Sequence, residues 1–437
     1  MVQVPCPSPR PRSVYGLPQL SEGQLTNRAM PFPASGFYPL SSKDVVSFTF
    51  DDPSYDVNRP VRFPRVQTVV LMIDTGPQQV LIDPENPSNF YSHTTAKDLV
   101  QRLIAGLHNA GLQRGDTVCI HSFNSIAYPL VVLAIIGAGA ISVGTNPSYT
   151  KHELNHAVKL AKIKFVLAEP EILANVQTAL QENDVDIGSR LFILDTQTGQ
   201  SVPVGLKSWK TLLNHGTKDW IRFDDKKRCK EHVQLYFTSG TSGLPKCAMT
   251  SHLNLVSEHQ LFFEAWPRSY SYRVVLCMPF FHVGVLPQVL VSAIKEGREG
   301  YVMRRFDLEP YLRYHAKYQV TEVFSVPPML VSIVMSGLAD PNSKNYSKDL
   351  SLKSVRNGTV GAAPCSADLQ KRFQDLLADD ATMGQVWGMT ETTSMAAIVP
   401  WNVAGKAMGT VGKPLPEVQM KRKNIPRGQM CANAVQS

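Results

Sequence analysis

Short apolar runs alternate with longer stretches of helical spacing along most of this chain. From Val66 to Asp83 two apolar runs flank Thr75-Gly76-Pro77, which predicts a hairpin. Thr95 and Asp98 are spaced as a capping box ahead of Leu99, Leu103 and Leu107, which recur at helical intervals. Gly111 and Gly115-Asp116 end that helix, and strands are predicted at 117–121, 165–168 and 191–194. After residue 231 the alternation resumes, with strands at 233–237, 274–278, 300–303, 321–325, 354–359 and 382–387. Helices are predicted near 253–265, 286–296, 307–318, 328–336 and 366–378, the last with Ser366 as its N-cap. Residues 341–348 read as a loop. Strands alternating with helices imply an α/β protein of two βαβ-type sheet subdomains in series, largely parallel.

Composition narrows the class. At 437 residues, with 43% hydrophobic and 18% charged positions, the chain is globular and long enough for more than one core. Residues 1–40 hold eight prolines and predict an extended arm. Segments 41–230 and 231–400 are the expected first and second α/β subdomains. A net charge of +8 without a long basic block argues against nucleic acid as a partner. The longest apolar stretch, Tyr128 to Val143, is too short to span a bilayer and reads as a buried helix and turn. Seven scattered cysteines without a C-x-x-C pair point to reduced thiols and away from a zinc site.

Candidate chemistry begins at Leu235. Val233, Leu235 and Phe237 alternate with Gln234 and Tyr236, which predicts a half-buried strand. It runs into Thr238, Ser239, Gly240, Thr241, Ser242, Gly243, Leu244, Pro245 and Lys246. The two glycines permit close backbone approach, the hydroxyls add donors, and Lys246 supplies a charge, a combination suited to phosphate oxygens. The spacing is not the Walker pattern. Read locally, the stretch also fits a polar surface loop.

Three later segments follow predicted strands, where ligands of open α/β sheets bind. Pro279-Phe280-Phe281-His282-Val283-Gly284 places Phe281 and His282 after the strand at 274–278, although a histidine beside two phenylalanines also fits plain packing. Gly361, Ala362, Ala363 and Pro364 follow the strand at 354–359 and could lie flat against a planar base or form a tight turn. Gln385, Val386, Trp387, Gly388, Met389, Thr390 and Glu391 offer a stacking aromatic, a hydroxyl and a carboxylate able to hold Mg²⁺, which takes few protein ligands.

Taken together, these segments closely resemble the acyl-adenylate-forming (AMP-binding) superfamily, in its acyl-CoA synthetase and 4-coumarate–CoA ligase-like branch. The resemblance covers roughly residues 60 to 425, including Gly115-Asp116, Asn124-Ser125 and Asn146-Pro147 with Tyr149-Thr150. It implies the large N-terminal domain of that fold, with residues 401–437 beginning a β-rich subdomain. It implies a carboxylic acid and ATP as substrates giving acyl-AMP and pyrophosphate, with CoA as the acceptor. Residues 238–243 and Lys246 would hold phosphates. Gly361 to Pro364, Gln385 and Trp387 to Thr390 would line the nucleotide site, and Glu391 would hold Mg²⁺. His282 would orient the carboxylate beside Phe281 and Val386. Three departures stand out: Gly284 comes one residue early after His282, Val386 replaces a glycine and should crowd the acyl pocket, and Cys247 replaces a glycine after Lys246.

The resemblance further implies that the family's C-terminal small domain, with its lysine and the ribose-binding aspartate before it, falls beyond Ser437. A truncated product, a partial chain and a partner supplying that domain in trans all stay open. Two other readings compete with the ligase: a nucleotide- or acyl-binding protein without turnover, and a module that loads a carrier protein. The expected location is cytoplasmic. A peroxisomal alternative is disfavoured because the chain ends Val-Gln-Ser rather than in an S-K-L type tripeptide.

Overall fold

The computed structural model describes residues 39–55, 77–223, 225–238, 245–401 and 408–418. Sixteen strands lie in these residues: β1 (Gln79–Ile82), β2 (Phe90–Ser92), β3 (Thr117–His121), β4 (Ile141–Thr145), β5 (Ile163–Ala168), β6 (Leu191–Ile193), β7 (Lys207–Ser208), β8 (His232–Phe237), β9 (Cys247–Ser251), β10 (Arg273–Leu276), β11 (Glu299–Val302), β12 (Glu322–Ser325), β13 (Asn357–Val360), β14 (Thr382–Met389), β15 (Ser394–Ile398) and β16 (Lys413–Pro414). They form a seven-stranded sheet in the order β7-β6-β5-β3-β4-β8-β9 and a nine-stranded sheet in the order β16-β15-β14-β13-β12-β10-β11-β1-β2. Interior pairs are parallel. Antiparallel pairing is confined to β8–β9, β14–β15–β16 and β1–β2.

The sheets do not divide at residue 231. β8 and β9 complete the first sheet, while β1 and β2, far earlier in the chain, close the edge of the second by pairing with β11. The part of the predicted hairpin before residue 77 lies outside the described residues, as do residues 1–38 of the proline-rich arm. β1 instead pairs antiparallel with β2, downstream. The capping box also sits three residues earlier than the spacing predicts. Ser92 ends β2 and caps the helix His93–Asn109, accepting from the Thr95 N–H while Thr95 Oγ1 accepts the Ser92 N–H at 2.8 Å. Thr95 is thus the reciprocal partner, and Asp98 lies a turn inside the helix. The Ser366 cap is as expected, its hydroxyl taking the Leu369 N–H at 3.2 Å.

β8 departs from half-burial: Val233, Gln234, Leu235 and Tyr236 are all buried. Because β8 lies between β4 and β9, with packing on both faces, alternation does not govern it. Helix Tyr128–Gly137, apolar all round, is buried at every position, as such a helix must be. It packs against helices His93–Asn109 and Leu286–Glu296 within one continuous core drawing residues from both sheets, including Val80, Ile120, Tyr236 and Val302.

One side chain joins the two sheets where their strands end. Asn124, 3% exposed, follows β3. Its amide nitrogen donates to the Met278 carbonyl at 2.9 Å and the Met303 carbonyl at 3.1 Å, just past β10 and β11, and its oxygen accepts the Phe280 N–H at 2.9 Å. Nearby, the buried Glu169 carboxylate after β5 accepts from Ser122 at 2.9 Å and from Arg304 after β11 at 2.5 Å. Gly144 on β4 allows the approach: a Cβ there would stand 2.7 Å from Phe281 Cβ and 2.6 Å from the Tyr128 hydroxyl. Replacing Asn124 by Ala leaves two carbonyls and an N–H unpaired in the interior, so Asn124→Ala is expected to lower stability by about 2–4 kcal/mol in urea unfolding.

Candidate active site

Each of the four sequence segments follows the carboxyl end of a strand. Thr238 follows β8, which is parallel to β4, and residues 279–284 follow β10, 361–364 follow β13, and 385–392 close β14. Of the seven predicted phosphate-holding residues, Ser239, Gly240, Thr241, Ser242 and Gly243 lie outside the described residues, and Thr238 and Lys246 stand at the loop's base. There the Thr238 N–H donates to the Lys246 carbonyl at 2.9 Å and the Lys246 N–H to Thr238 Oγ1 at 3.3 Å. The carbonyl of Pro245 meets His156 Nε2 at 3.0 Å, pinning the base to helix Lys151–Ala161. The Lys246 side chain is exposed.

The later segments converge through their neighbours. Strand β9, which leaves the loop, packs against the Thr390–Thr392 turn and so joins the phosphate segment to the candidate metal segment. In the helix that follows His282, Gln288 Nε2 lies 3.9 Å from Met395 Sδ on β15. Gly361 lies against Val386, so that an added Cβ would stand 2.6 Å from Val386 Cγ2. Ala362, Ala363 and Pro364 form an exposed edge, Ala362 at φ 66°, and Trp387 is half-buried. Thr390 is half-buried and Glu391 exposed on the turn. Gly388 sits so close to Ser394 that a Cβ would fall 1.6 Å from its carbonyl oxygen, which closes the β14–β15 turn tightly.

Gln385 is committed to the fold. Its amide nitrogen donates to the Cys365 carbonyl at 3.1 Å and to Gln370 Oε1 at 3.0 Å, fixing the turn at 361–366 from behind. Val386 also borders a small cavity walled by Phe262, Trp266, Arg268, Asn357 and Trp401, none of them in the His282 turn.

His282 opens the turn before helix Leu286–Glu296, its carbonyl accepting the Leu286 N–H at 3.1 Å. Its Nδ1 accepts the Gly284 N–H at 3.0 Å, so in the neutral ring the proton sits on Nε2, which points a donor outward. The backbone N–H at 284 fixes the tautomer, and the glycine keeps the approach open, since a Cβ there would stand 3.1 Å from His282 Nδ1. Part of the ring reaches solvent, yet the protein packed around it disfavours the imidazolium and lowers its pKa.

Among the described residues no cluster of three or more His, Cys, Asp or Glu side chains could hold a metal ion, and no helix is long and apolar enough to cross a membrane. A lone carboxylate beside a hydroxyl fits Mg²⁺ bridged by substrate phosphates, and does not fit an ion caged by protein alone.

Comparison with known proteins identifies the family and the fold. Residues 74–436 match the family model described as AMP-binding enzyme. The chain is 39% identical over 393 residues to phenylacetyl-CoA ligase epaB of Aspergillus niger, covering 89% of this chain and 68% of that protein. It is 38% identical to acyl-CoA ligase azaF of Aspergillus niger, covering 89% and 69%. It superposes on the long-chain-fatty-acid-CoA ligase of Archaeoglobus fulgidus with a TM-score of 0.69 at 22% identity, covering 88% of this chain and 71% of that one. The chain therefore spans about two thirds of the length of these two Aspergillus relatives.

In an NMR titration, the His282 ring of the free folded chain is expected to titrate below the ordinary value of about 6.5, and at that value in urea. Because the fold favours the neutral ring, its contribution to stability is complete above the ordinary value and is lost as pH falls through the lowered one.

Proposed function

The chain belongs to the AMP-binding enzyme family, and on that premise we propose that it is an acyl-activating ligase. A carboxylic acid attacks the α-phosphate of ATP to give acyl-AMP and pyrophosphate, and the CoA thiol then displaces AMP to give a thioester. The observation that supports this reading is that the phosphate-loop base, the His282 turn and the Thr390–Glu391 turn each lie at the carboxyl end of a strand, with β9, which leaves the loop, packed on the Thr390–Thr392 turn.

In this reading Thr238 to Lys246 take the β- and γ-phosphates. Gly361 to Pro364 and Trp387 flank the adenine, with Gln385 behind them. His282 Nε2–H donates to the acid's carboxylate and holds one oxygen toward the α-phosphorus, while Thr390 donates to phosphate. Glu391 would hold Mg²⁺, which when bound offsets charge on the departing pyrophosphate. Val386, where the family resemblance has a glycine, adds bulk at the acyl position, which favours an aryl or short-to-medium acid over a long chain. The names of the relatives, one a phenylacetyl-CoA ligase, support the same class. Five cysteines among the described residues are free, in keeping with a cytoplasmic enzyme.

ATP–pyrophosphate exchange by the purified chain, run against a panel of aryl and fatty acids, tests the proposal. Acid-dependent exchange is expected, strongest with aryl or short acids, and Glu391→Ala should lower kcat/KM for ATP by about 10²–10³. ATP binding by calorimetry without exchange for any acid would leave a binding protein and remove the ligase.

A further inference from the structure

Glu258 lies in the helix His252–His259, at a position where a charged residue would be expected to face water. It is instead 4% exposed, and its Oε1 accepts the Met395 N–H at 3.0 Å across to β15. Met395 directly follows two residues in the left-handed region, Thr393 at φ 62° and Ser394 at φ 103°. Neither is glycine, and such a conformation costs of order 1–3 kcal/mol per residue unless the surroundings impose it. This strained pair links β15 to the Thr390–Thr392 turn that carries Glu391. Within the turn, Thr392 Oγ1 accepts the Met389 N–H at 3.1 Å and lies 3.2 Å from the Ser394 carbonyl.

We propose that Glu258 is a positioning residue for the Glu391 turn: by holding the Met395 N–H, it keeps the strained Thr393–Ser394 link in place and fixes the turn against β9. This rests on the ligase reading, in which Glu391 is the magnesium ligand.

The chemistry around Glu258 suits a neutral acid. Burial raises its carboxyl to about 8, opposed by the Met395 N–H and the Ser394 side chain, and among the described residues no cation acts on it. Among the described residues, the titratable groups facing it are the phenols of Tyr236 on β8 and, beyond that, Tyr128, both buried without a hydrogen-bond partner there. The Met395 N–H is accepted by one carboxyl oxygen, a role that a glutamine carbonyl reproduces and a methionine does not.

The test compares E258Q with E258M, which differ little in volume. Three quantities are read: amide hydrogen exchange at Met395 in the free chain, the Mg²⁺ concentration giving half-maximal ATP–pyrophosphate exchange, and kcat at saturating Mg²⁺. In E258M, Met395 protection is expected to fall and half-saturating Mg²⁺ to rise by about tenfold each, the size of one lost buried hydrogen bond, while kcat at saturating Mg²⁺ changes little. E258Q is expected to retain wild-type values of all three. A folded E258M with Met395 protection and Mg²⁺ dependence unchanged overturns the proposal, as does an E258Q as impaired as E258M. If E258M does not fold, E258Q decides alone: wild-type protection supports the proposal and lost protection overturns it. Absence of exchange in the wild-type chain would count against the ligase reading only, because Met395 protection reports Glu258's hold on the turn without nucleotide.

Discussion

The amide of Asn124 is the constraint on which the site depends. Two sheets built from widely separated parts of the chain must bring their strand ends to one place, and a buried loop there has carbonyls and N–H groups that water cannot reach. Asn124 meets three of them at once, one N–H and two carbonyls, from segments following β10 and β11. A residue with only donors or only acceptors could not, because the loops present both kinds. Phe281 and His282 lie in the turn this bond set holds.

The same logic recurs around the site. Glu169 is fully buried yet paired with Arg304 and Ser122, a second tie between the sheets. Gln385 and Gln370 hold the 361–366 turn from behind and leave its exposed edge to face a ligand. Glu258 does comparable work under the Glu391 turn. The residues presented outward, His282, Thr390, Glu391 and Lys246, are half-buried or exposed, and buried amides and carboxyls fix the backbone beneath them. A site for a charged, hydrated substrate needs this division, since the groups that touch it must stay reachable while their supports must not move.

Much of the site was legible in the sequence because its signals are local. A strand ending in Trp387-Gly388-Met389-Thr390-Glu391 announces a turn that exposes a carboxylate, whereas residues 239–243 of the glycine- and hydroxyl-rich segment lie outside the described residues. Gln385, by contrast, read as a nucleotide contact and is tied to Cys365 and Gln370, partners that no spacing reveals. Glu258 was missed altogether: on a helix, a lone glutamate has no sequence mark to separate a solvated face from burial against a strand more than a hundred residues away.

By itself the sequence determined most of the strands and helices, the order of the chemical segments and the family, because periodicity, capping and turn chemistry act over a few residues; strands β4, β9 and β15 were not among the expected elements. Even there, the box at Ser92 and Thr95 was displaced by the strand that precedes it. Only the tertiary structure decided that β1 and β2 belong with β11, that β8 and β9 belong with β4, and that β8 is buried on both faces. Those choices depend on which distant surfaces cover one another, and the free energy of that burial is shared among residues the chain does not keep adjacent.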